Sequence, residues 1–517
     1  MTLTHVVADQ SEVFTFLSDP RAYGLTEPVI QIDTHGAVVF LVGPDAYKVK
    51  RAVRFPFMDY STLEKRRAAC DAEVAVNRPS APDLYLGAIP ITRAPGGLAL
   101  GGEGEAVEWA VHMKRFDLND TLDRVATNGS LSGPLVAKLT RAVLASHGRA
   151  PHRNGGPATA SLKRYIHENH DAFLETPELF PTDRATQLTA RALKVFTEIR
   201  TLLLSRGEAG FVRRCHGDLH LRNLVLLSGE PTLFDAIEFD DAIATGDVLY
   251  DLAFLLMDLW ERELKDAANL VLNRYLWESE EANLGGLVAL PLFLALRAGI
   301  RAKVVAAGLP HVSVDKRERS AAEAVRYFEC AEHFLEPAPA RLIAIGGLSG
   351  TGKSALAAAV APHLGLAPGA VHLRSDVERK RLYGIAETEP LPPKAYDSEV
   401  AAEIYACLAR KAGLAARSGY NVIVDAVHAR EDARRRMEDL ARELQMPFVG
   451  LWLEAPLSVL LSRVEHRRGD ASDADAAVVE RQSLYELGMI NWWRIDTSKS
   501  LDDLRQTVLA RLLDQVS

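Results

Sequence analysis

The alternation of apolar and polar positions changes character twice along the chain. Residues 29–51, VIQIDTHGAVVFLVGPDAYKVKR, read as three short runs of β-formers broken at His35-Gly36 and at Gly43-Pro44-Asp45, which predicts an antiparallel meander. The next segment, STLEKRRAACDAEVAVN, repeats at helical intervals through Leu63, Cys70 and Val74, with Ser61 and Glu64 spaced as a capping box. Helical periodicity dominates residues 130–205, interrupted by a polar loop at APHRNGGPATAS, and resumes after residue 240 to residue 335. EPAPAR at 336–341 then breaks the helix. Beyond it LIAIGG, AVHLRS, NVIVDAV and FVGLWLEA alternate with helical segments, as the strands of a parallel sheet joined by crossovers do.

These patterns predict two domains. The first, residues 1–337, is an α+β domain with a small β lobe over about 1–112 and a large helical lobe over about 113–335; the second, residues 338–517, is α/β. A length of 517 residues also exceeds what one hydrophobic core supports. Composition adds little: 48% apolar and 25% charged residues are ordinary for a soluble globular chain. The net charge of −9 provides no general field for a polyanion and weighs against a nucleic-acid partner. The N-terminal residues lack the pattern of a secretory signal, and the longest apolar run, residues 287–296, stops at Arg297, short of a bilayer span. A cytoplasmic protein with no membrane partner is the expectation. The four cysteines are far apart, so neither a disulfide framework nor a zinc site is indicated.

Two stretches carry chemistry. In HGDLHLRN, Asp218 is followed five residues later by Asn223, and twelve further on by Asp235. That is the order of a catalytic base and two hard-oxygen magnesium ligands in kinases. A kinase also needs a lysine on its third strand: Lys48 in DAYKVKR is the candidate, although Lys50 shares its strand face. Its ion-pair partner on the following helix is Glu73, with Glu64 as the second choice. H-G-D-x-H-x-x-N followed by an apolar residue and Asp resembles the aminoglycoside phosphotransferase family, a branch of the protein-kinase-like bilobal fold, from about residue 29 to 335. The resemblance implies a nucleotide held between two lobes, with Met113 in the connecting segment AVHMKRF, and a loop-supporting role for Asp247 and Asp251. His216 and His220 are expected to hold the loop rather than a metal. The segment after Asp235 shows no A-P-E pattern and the loop at DTHGAVV has one glycine, which favours a small-molecule acceptor over a protein. Arg297 and Arg301, with Lys303, suggest an anionic acceptor if their helix lines the cleft; a solvated basic face or internal ion pairing is the alternative.

The second stretch, GLSGTGKS, matches G-x-x-x-x-G-K-[ST] between an apolar strand and a helix. Gly347, Ser349, Gly350, Thr351 and Gly352 would cradle phosphates through backbone N–H groups, Lys353 would reach the β/γ-oxygens, and Ser354 would ligate magnesium. Asp376 ends one strand with Arg379 a turn later, Asp425 ends another, and Arg463, Arg467 and Arg468 flank a polar insertion fit for a mobile lid. These features resemble the small P-loop kinases of gluconate-kinase, zeta-toxin and polynucleotide-kinase type, often labelled AAA-family ATPases. That resemblance implies Asp376 as base for an acceptor hydroxyl, Arg379 as a substrate contact, and Arg463 and Arg467 as lid cations. The whole reads as a fusion of two kinases using ATP, with GTP as the alternative donor, and Mg2+. One catalytic domain plus one nucleotide sensor, a nucleic-acid end kinase, and an aminoglycoside resistance kinase are the competing readings.

Overall fold

The structure, a computed structural model, describes residues 6–34, 36–55, 58–466 and 469–514. Its fold has two domains, an N-terminal kinase-like part and a C-terminal P-loop part. The chain forms two compact units interleaved in sequence. One comprises Met1–Tyr165, Arg200–Asp258 and Val304–Ala322; the other comprises Ile166–Ile199, Leu259–Lys303 and Glu323–Ser517, so the boundary expected near residue 337 falls inside the second unit.

In the first unit the predicted meander forms as strands Ile30–Asp33, Ala37–Val42 and Asp45–Lys50. They are half of a six-stranded antiparallel sheet, continued by Glu105–Lys114, Tyr85–Ala94 and Gly97–Leu100. Alternation sorts the side chains. Val38, Phe40 and Val49 pack with Val13 and Leu17 of helix Ser11–Ser18. Leu41, Ala46 and Met113 pack with Cys70 and Val74 of helix Leu63–Asn77 on the other face. That period of two places Lys48 and Lys50, like Ala46, on the side of the 63–77 helix. The helix is capped by Thr62, whose hydroxyl accepts from Lys65 N at 3.3 Å, instead of by Ser61. Ser61 is held back by Asp59, which accepts its N–H at 3.0 Å and its hydroxyl at 2.5 Å.

The polar segment after residue 150 is loop only as far as Asn154. Helix Gly155–Leu174 starts there, because Asn154 Oδ1 accepts Gly156 N at 2.8 Å and Pro157 is tolerated in a first turn. Helix Val248–Glu261 follows the catalytic-loop region and is nearly all apolar on its first three turns.

In the second unit five parallel strands run in the order Val371–Arg374, Val422–Asp425, Leu342–Gly346, Phe448–Glu454, Trp493–Asp496. The last strand was not anticipated from the sequence pattern. Ile343, Ile345 and Leu451 face helices Lys353–Val360 and Leu501–Asp514 in one core layer. The opposite face carries helix Glu431–Glu443, whose Arg434 lies 5.8 Å from the Trp452 ring. Both layers leave the C-terminal ends of the central strands open to a crevice, where ligands of open parallel sheets bind. Phe173 and Phe328, on helices Gly155–Leu174 and Val314–Phe334, form an aromatic cluster with Phe180 of the connection after the first of them, with centroids 4.8–5.2 Å apart. The stretch Ala282–Gly308 is long and apolar enough to cross a membrane, but 78% of its most apolar window is buried within the protein.

His428, just beyond strand Val422–Asp425, is fully buried, with the rings of Tyr405 and Trp492 5.4 and 5.2 Å away. Burial depresses its pKa to about 4. A depressed folded-state pKa means that the unfolded chain binds this proton first, so stability present above pH 6.5 is lost as pH falls towards 4. The loss reaches about 3 kcal/mol for this group. Urea unfolding between pH 7 and pH 4 is expected to give a smaller acid destabilisation for His428→Phe than for the unaltered chain; equal slopes contradict this account.

Candidate functional site

The first site is assembled around a buried carboxylate. Glu73, 0% exposed, receives Lys48 at 2.8 Å and Lys50 at 2.5 Å on its two oxygens. Lys48 also meets Asp235 Oδ1 at 2.6 Å, whereas Lys50 pairs with Glu238, which in turn accepts the Tyr60 hydroxyl at 2.7 Å. Lys48 is therefore the lysine joined to the metal-ligand candidate, and Lys50 is a buried anchor. Glu64 is exposed on the same helix and takes no part. Burial alone would lower the Lys48 pKa, but Asp235 and Glu73 outweigh it and hold it well above the usual value. Lys48 and Lys50 in turn hold the Glu73 pKa below its usual value, against the opposing effects of its burial and of Asp235.

Across from the lysines, residues 215–223 form the loop that carries Asp218 and Asn223. Asn223 Nδ2 donates to Asp218 O at 3.0 Å and to Asp218 Oδ2 at 2.9 Å, which leaves Asn223 Oδ1 directed away from that carboxylate. Asp235 sits at φ +59, its N–H donating to Tyr85 Oη at 3.0 Å, while Ala236 N donates to Asn77 Oδ1 at 2.8 Å. Tyr85, Asn77 and Glu238 had no motif to betray them; each acts through a long-range hydrogen bond or ion pair. His216 Nε2 lies 2.9 Å from Phe234 O, and His220 lies 3.3 Å from Asp218, so both histidines hold the loop as expected. Asp251 Oδ1 accepts Gly217 N at 2.8 Å, and Asp247 is clamped by Arg206 at 2.6 and 2.8 Å. His147, Cys215 and Asp251 bring donor atoms within 4.8 Å of one another, yet Asp251 already spends one oxygen on Gly217 and the other on His147 at 3.1 Å. That cluster supports the loop. Met113 is 93% buried on strand Glu105–Lys114, paired with Ala46 and Tyr85.

The second site lies in a cleft of about 820 Å³ above the parallel sheet. Its loop needs glycine at two points: a Cβ on Gly347 (φ +142) would meet Leu453 O at 2.7 Å, and one on Gly350 (φ +84) would meet Leu460 O at 2.8 Å. Thr351 Oγ1 donates to Leu348 O at 2.8 Å and Ser349 N to Gln482 Oε1 at 2.8 Å, fixing the loop, and Gly352 (φ +88) leads into helix Lys353–Val360. Lys353 Nζ reaches Leu348 O at 3.0 Å, and Ser354 Oγ donates to Asp425 Oδ2 at 2.5 Å. The hard oxygens of Ser354 and Asp425 suit magnesium, as do Asn223 and Asp235 in the first unit. Asp376 and Arg379 pair at 3.2 Å on the cleft wall. Burial raises the Asp376 pKa, helped by Asp425 and opposed by Arg379. Asp425 is held low despite burial by its hydrogen bond to His372 and by Lys353 and Arg374.

Arg463 lines the cleft and is tied down, donating to Thr497 O at 2.7 Å and Thr497 Oγ1 at 3.2 Å. Arg467 and Arg468 lie outside the described residues. Asp470 and Asp473, possible partners for lid arginines, are engaged by Arg374 and Lys380, each at 2.6 Å. Arg297 is 4% exposed, Arg301 lies 5.6 Å from the Tyr327 ring, and Lys303 pairs with Glu168 at 3.5 Å; none stands on a solvated basic face.

Residues 128–283 match the model of the Phosphotransferase enzyme family, and residues 342–485 match a model described as AAA domain. An uncharacterized protein of Mycobacterium tuberculosis (strain ATCC 25618 / H37Rv) is 32% identical over 487 residues, covering 91% of this chain and 93% of that protein. The chain belongs to that family of joined kinase domains. Mycobacterium bovis has a relative with the same identity and coverage. Among solved structures, a gluconokinase from Sinorhizobium meliloti 1021 is 21% identical and covers 35% of this chain and 97% of its own (TM-score 0.26). A choline/ethanolamine kinase family protein from Mesorhizobium loti is 13% identical and covers 62% and 97% (TM-score 0.36). Both parts being of kinase families, the chain is a phosphotransferase with nucleotide-binding domains.

Lys48 and Lys50 should separate by experiment. Lys50→Met strands Glu238 and one Glu73 oxygen in the interior and is expected to cost about 3–5 kcal/mol in urea unfolding. Lys48→Met should cost clearly less stability while weakening nucleotide binding to the first unit by calorimetry. The reverse ranking refutes the assignment.

Proposed function

We propose that the chain is a bifunctional ATP-dependent phosphotransferase whose two sites each transfer a γ-phosphoryl group to a hydroxyl of a small metabolite. The observation that carries this reading is that each unit holds its own complete set: Lys48, Glu73, Asp218, Asn223 and Asp235 in one, Lys353, Ser354, Asp376, Arg379 and Asp425 in the other. In the first, Asp218 takes the proton of the acceptor hydroxyl, its carboxylate oriented by Asn223. In the second, Asp376 does so, with Arg379 against it and the phosphate loop across the same cleft. Magnesium, when bound at Asn223 and Asp235 or at Ser354 and Asp425, would neutralise charge between the transferring phosphates. For the second cleft the mixture of Arg379, Arg430 and Arg481 with Tyr396, Tyr405 and Asp397 favours a polyhydroxylated, sugar-like acceptor that carries negative charge.

Asp218→Ala and Lys353→Ala, made separately and assayed on sugars, sugar acids, sugar phosphates, nucleosides and aminoglycosides with products resolved by mass, are expected to remove different phosphorylated products. One product set lost to both substitutions, or untouched by one, sinks the two-reaction reading and leaves a single kinase with a nucleotide-sensing partner. The raised pKa of Asp376 also sets a pH dependence. The base must be ionised, so kcat/KM for the Lys353-dependent product should fall on the acid side at a pH above the ordinary carboxylate value of 3.8. An acid limb at or below that value contradicts Asp376 as the base.

A further inference from the structure

Strand Val371–Arg374 is an edge of the parallel sheet, and an edge strand ordinarily presents a row of unpaired backbone groups. Here side chains of helix Lys265–Glu278 meet them. Asn269 and Asn273 each donate Nδ2 to Ala370 O at 3.1 Å. His372 N donates to Asn273 Oδ1 at 2.7 Å, and Trp277 Nε1 donates to His372 O at 2.7 Å. The Asn273 side chain thus does what a neighbouring strand's residue would do, accepting from His372 N and donating to Ala370 O two residues earlier. All three side chains are buried, so each of these bonds is made away from water, where an unmade one costs most.

The residue held on both of its backbone groups, His372, points its ring at the phosphate end of the cleft. Its Nε2 lies 3.3 Å from Asp425 Oδ2, the same oxygen that accepts Ser354 Oγ at 2.5 Å. A carboxylate only accepts, so this ring nitrogen is the donor. The other side of the ring is bounded by Trp277, edge-on at 6.0 Å. Arg374, 5.8 Å from the Trp277 ring, adds a cation 3.8 Å from Asp425. A continuous set of contacts therefore runs from helix Lys265–Glu278, part of the stretch matching the Phosphotransferase enzyme family, to the oxygen beside the P-loop serine.

We propose that His372 is a positioning residue for Asp425, and that helix Lys265–Glu278 sets it through Asn273 and Trp277, making a piece of the phosphotransferase-family domain part of the metal-binding machinery of the P-loop site. The inference rests on reading Ser354 and Asp425 as the magnesium end of that site. Hydrogen-bond partners of metal ligands orient them, and their loss characteristically costs about 10–100-fold in metal affinity.

The test uses the full-length chain carrying Lys48→Ala, so that ADP binding reports the P-loop site, titrated calorimetrically with and without magnesium. His372→Leu is expected to lower the magnesium-dependent gain in ADP affinity about tenfold while leaving magnesium-free affinity within about twofold, and His372→Gln, which keeps a donor at a similar reach, to restore it. Trp277→Phe, which keeps the ring and loses only the N–H, should give a weaker version of the same pattern. It should also speed amide exchange at residues 371–374 without affecting 342–346, and it serves alone if the leucine variant does not fold. Equal loss with and without magnesium, or an unchanged magnesium gain, overturns the proposal, because a merely structural contact moves both affinities or neither. If Lys353→Ala leaves ADP affinity unmoved, the nucleotide reading of the cleft fails and the proposal with it. That outcome is distinct from one in which Lys353→Ala weakens binding and His372→Leu does not.

Discussion

A carboxylate taken out of water must be given a cation or a set of donors, and this requirement organises both sites. Glu73 is completely enclosed, and the two lysines that answer its charge come from one strand face two residues apart. That forces helix Leu63–Asn77 against strand Asp45–Lys50, and because Lys48 continues to Asp235 and Lys50 to Glu238, the same pairing ties the sheet to the segment that follows the Asp218 loop. Removing the ion pairs would leave several buried charges uncompensated at once.

Asp425 plays the matching part in the P-loop unit, with a different solution. Its charge is met by His372, Ser354, Lys353 and Arg374, which belong to two separate elements: the edge strand Val371–Arg374 and the start of helix Lys353–Val360 after the phosphate loop. Asp376, a short distance away on the cleft wall, is treated in the opposite manner, with burial and the proximity of Asp425 making its ionised form costly. Two carboxylates in one cleft whose proton affinities are pushed apart is the arrangement expected of a metal ligand beside a general base.

The interleaving of the two compact units follows from the same accounting applied to backbone. The edge of a parallel sheet has to be covered, and the asparagines and tryptophan of helix Lys265–Glu278 do that, so this helix travels with the P-loop core although it lies in the phosphotransferase-family stretch. Nothing in the local pattern of KDAANLVLNRYLWE distinguishes it from any other helix of the larger lobe.

The motifs were legible because their chemistry is local. The phosphate loop with Lys353 and Ser354, the H-G-D loop with Asp218 and Asn223, the meander and four of the five parallel strands all depend on residues close in sequence, whose spacing is itself the geometry. The sequence by itself therefore determined that the chain joins two domains of kinase families and where their motif loops lie. Other questions turned on burial and on contacts more than fifty residues apart. Whether Lys48 or Lys50 reaches Asp235, that Tyr85 and Asn77 hold the backbone at Asp235 and Ala236, that Arg297 is buried instead of presented to solvent, and that His372 is the residue behind Asp425 were decided only by the tertiary structure. A charge or amide becomes specific when burial leaves it one partner, and burial is a property of the assembled fold.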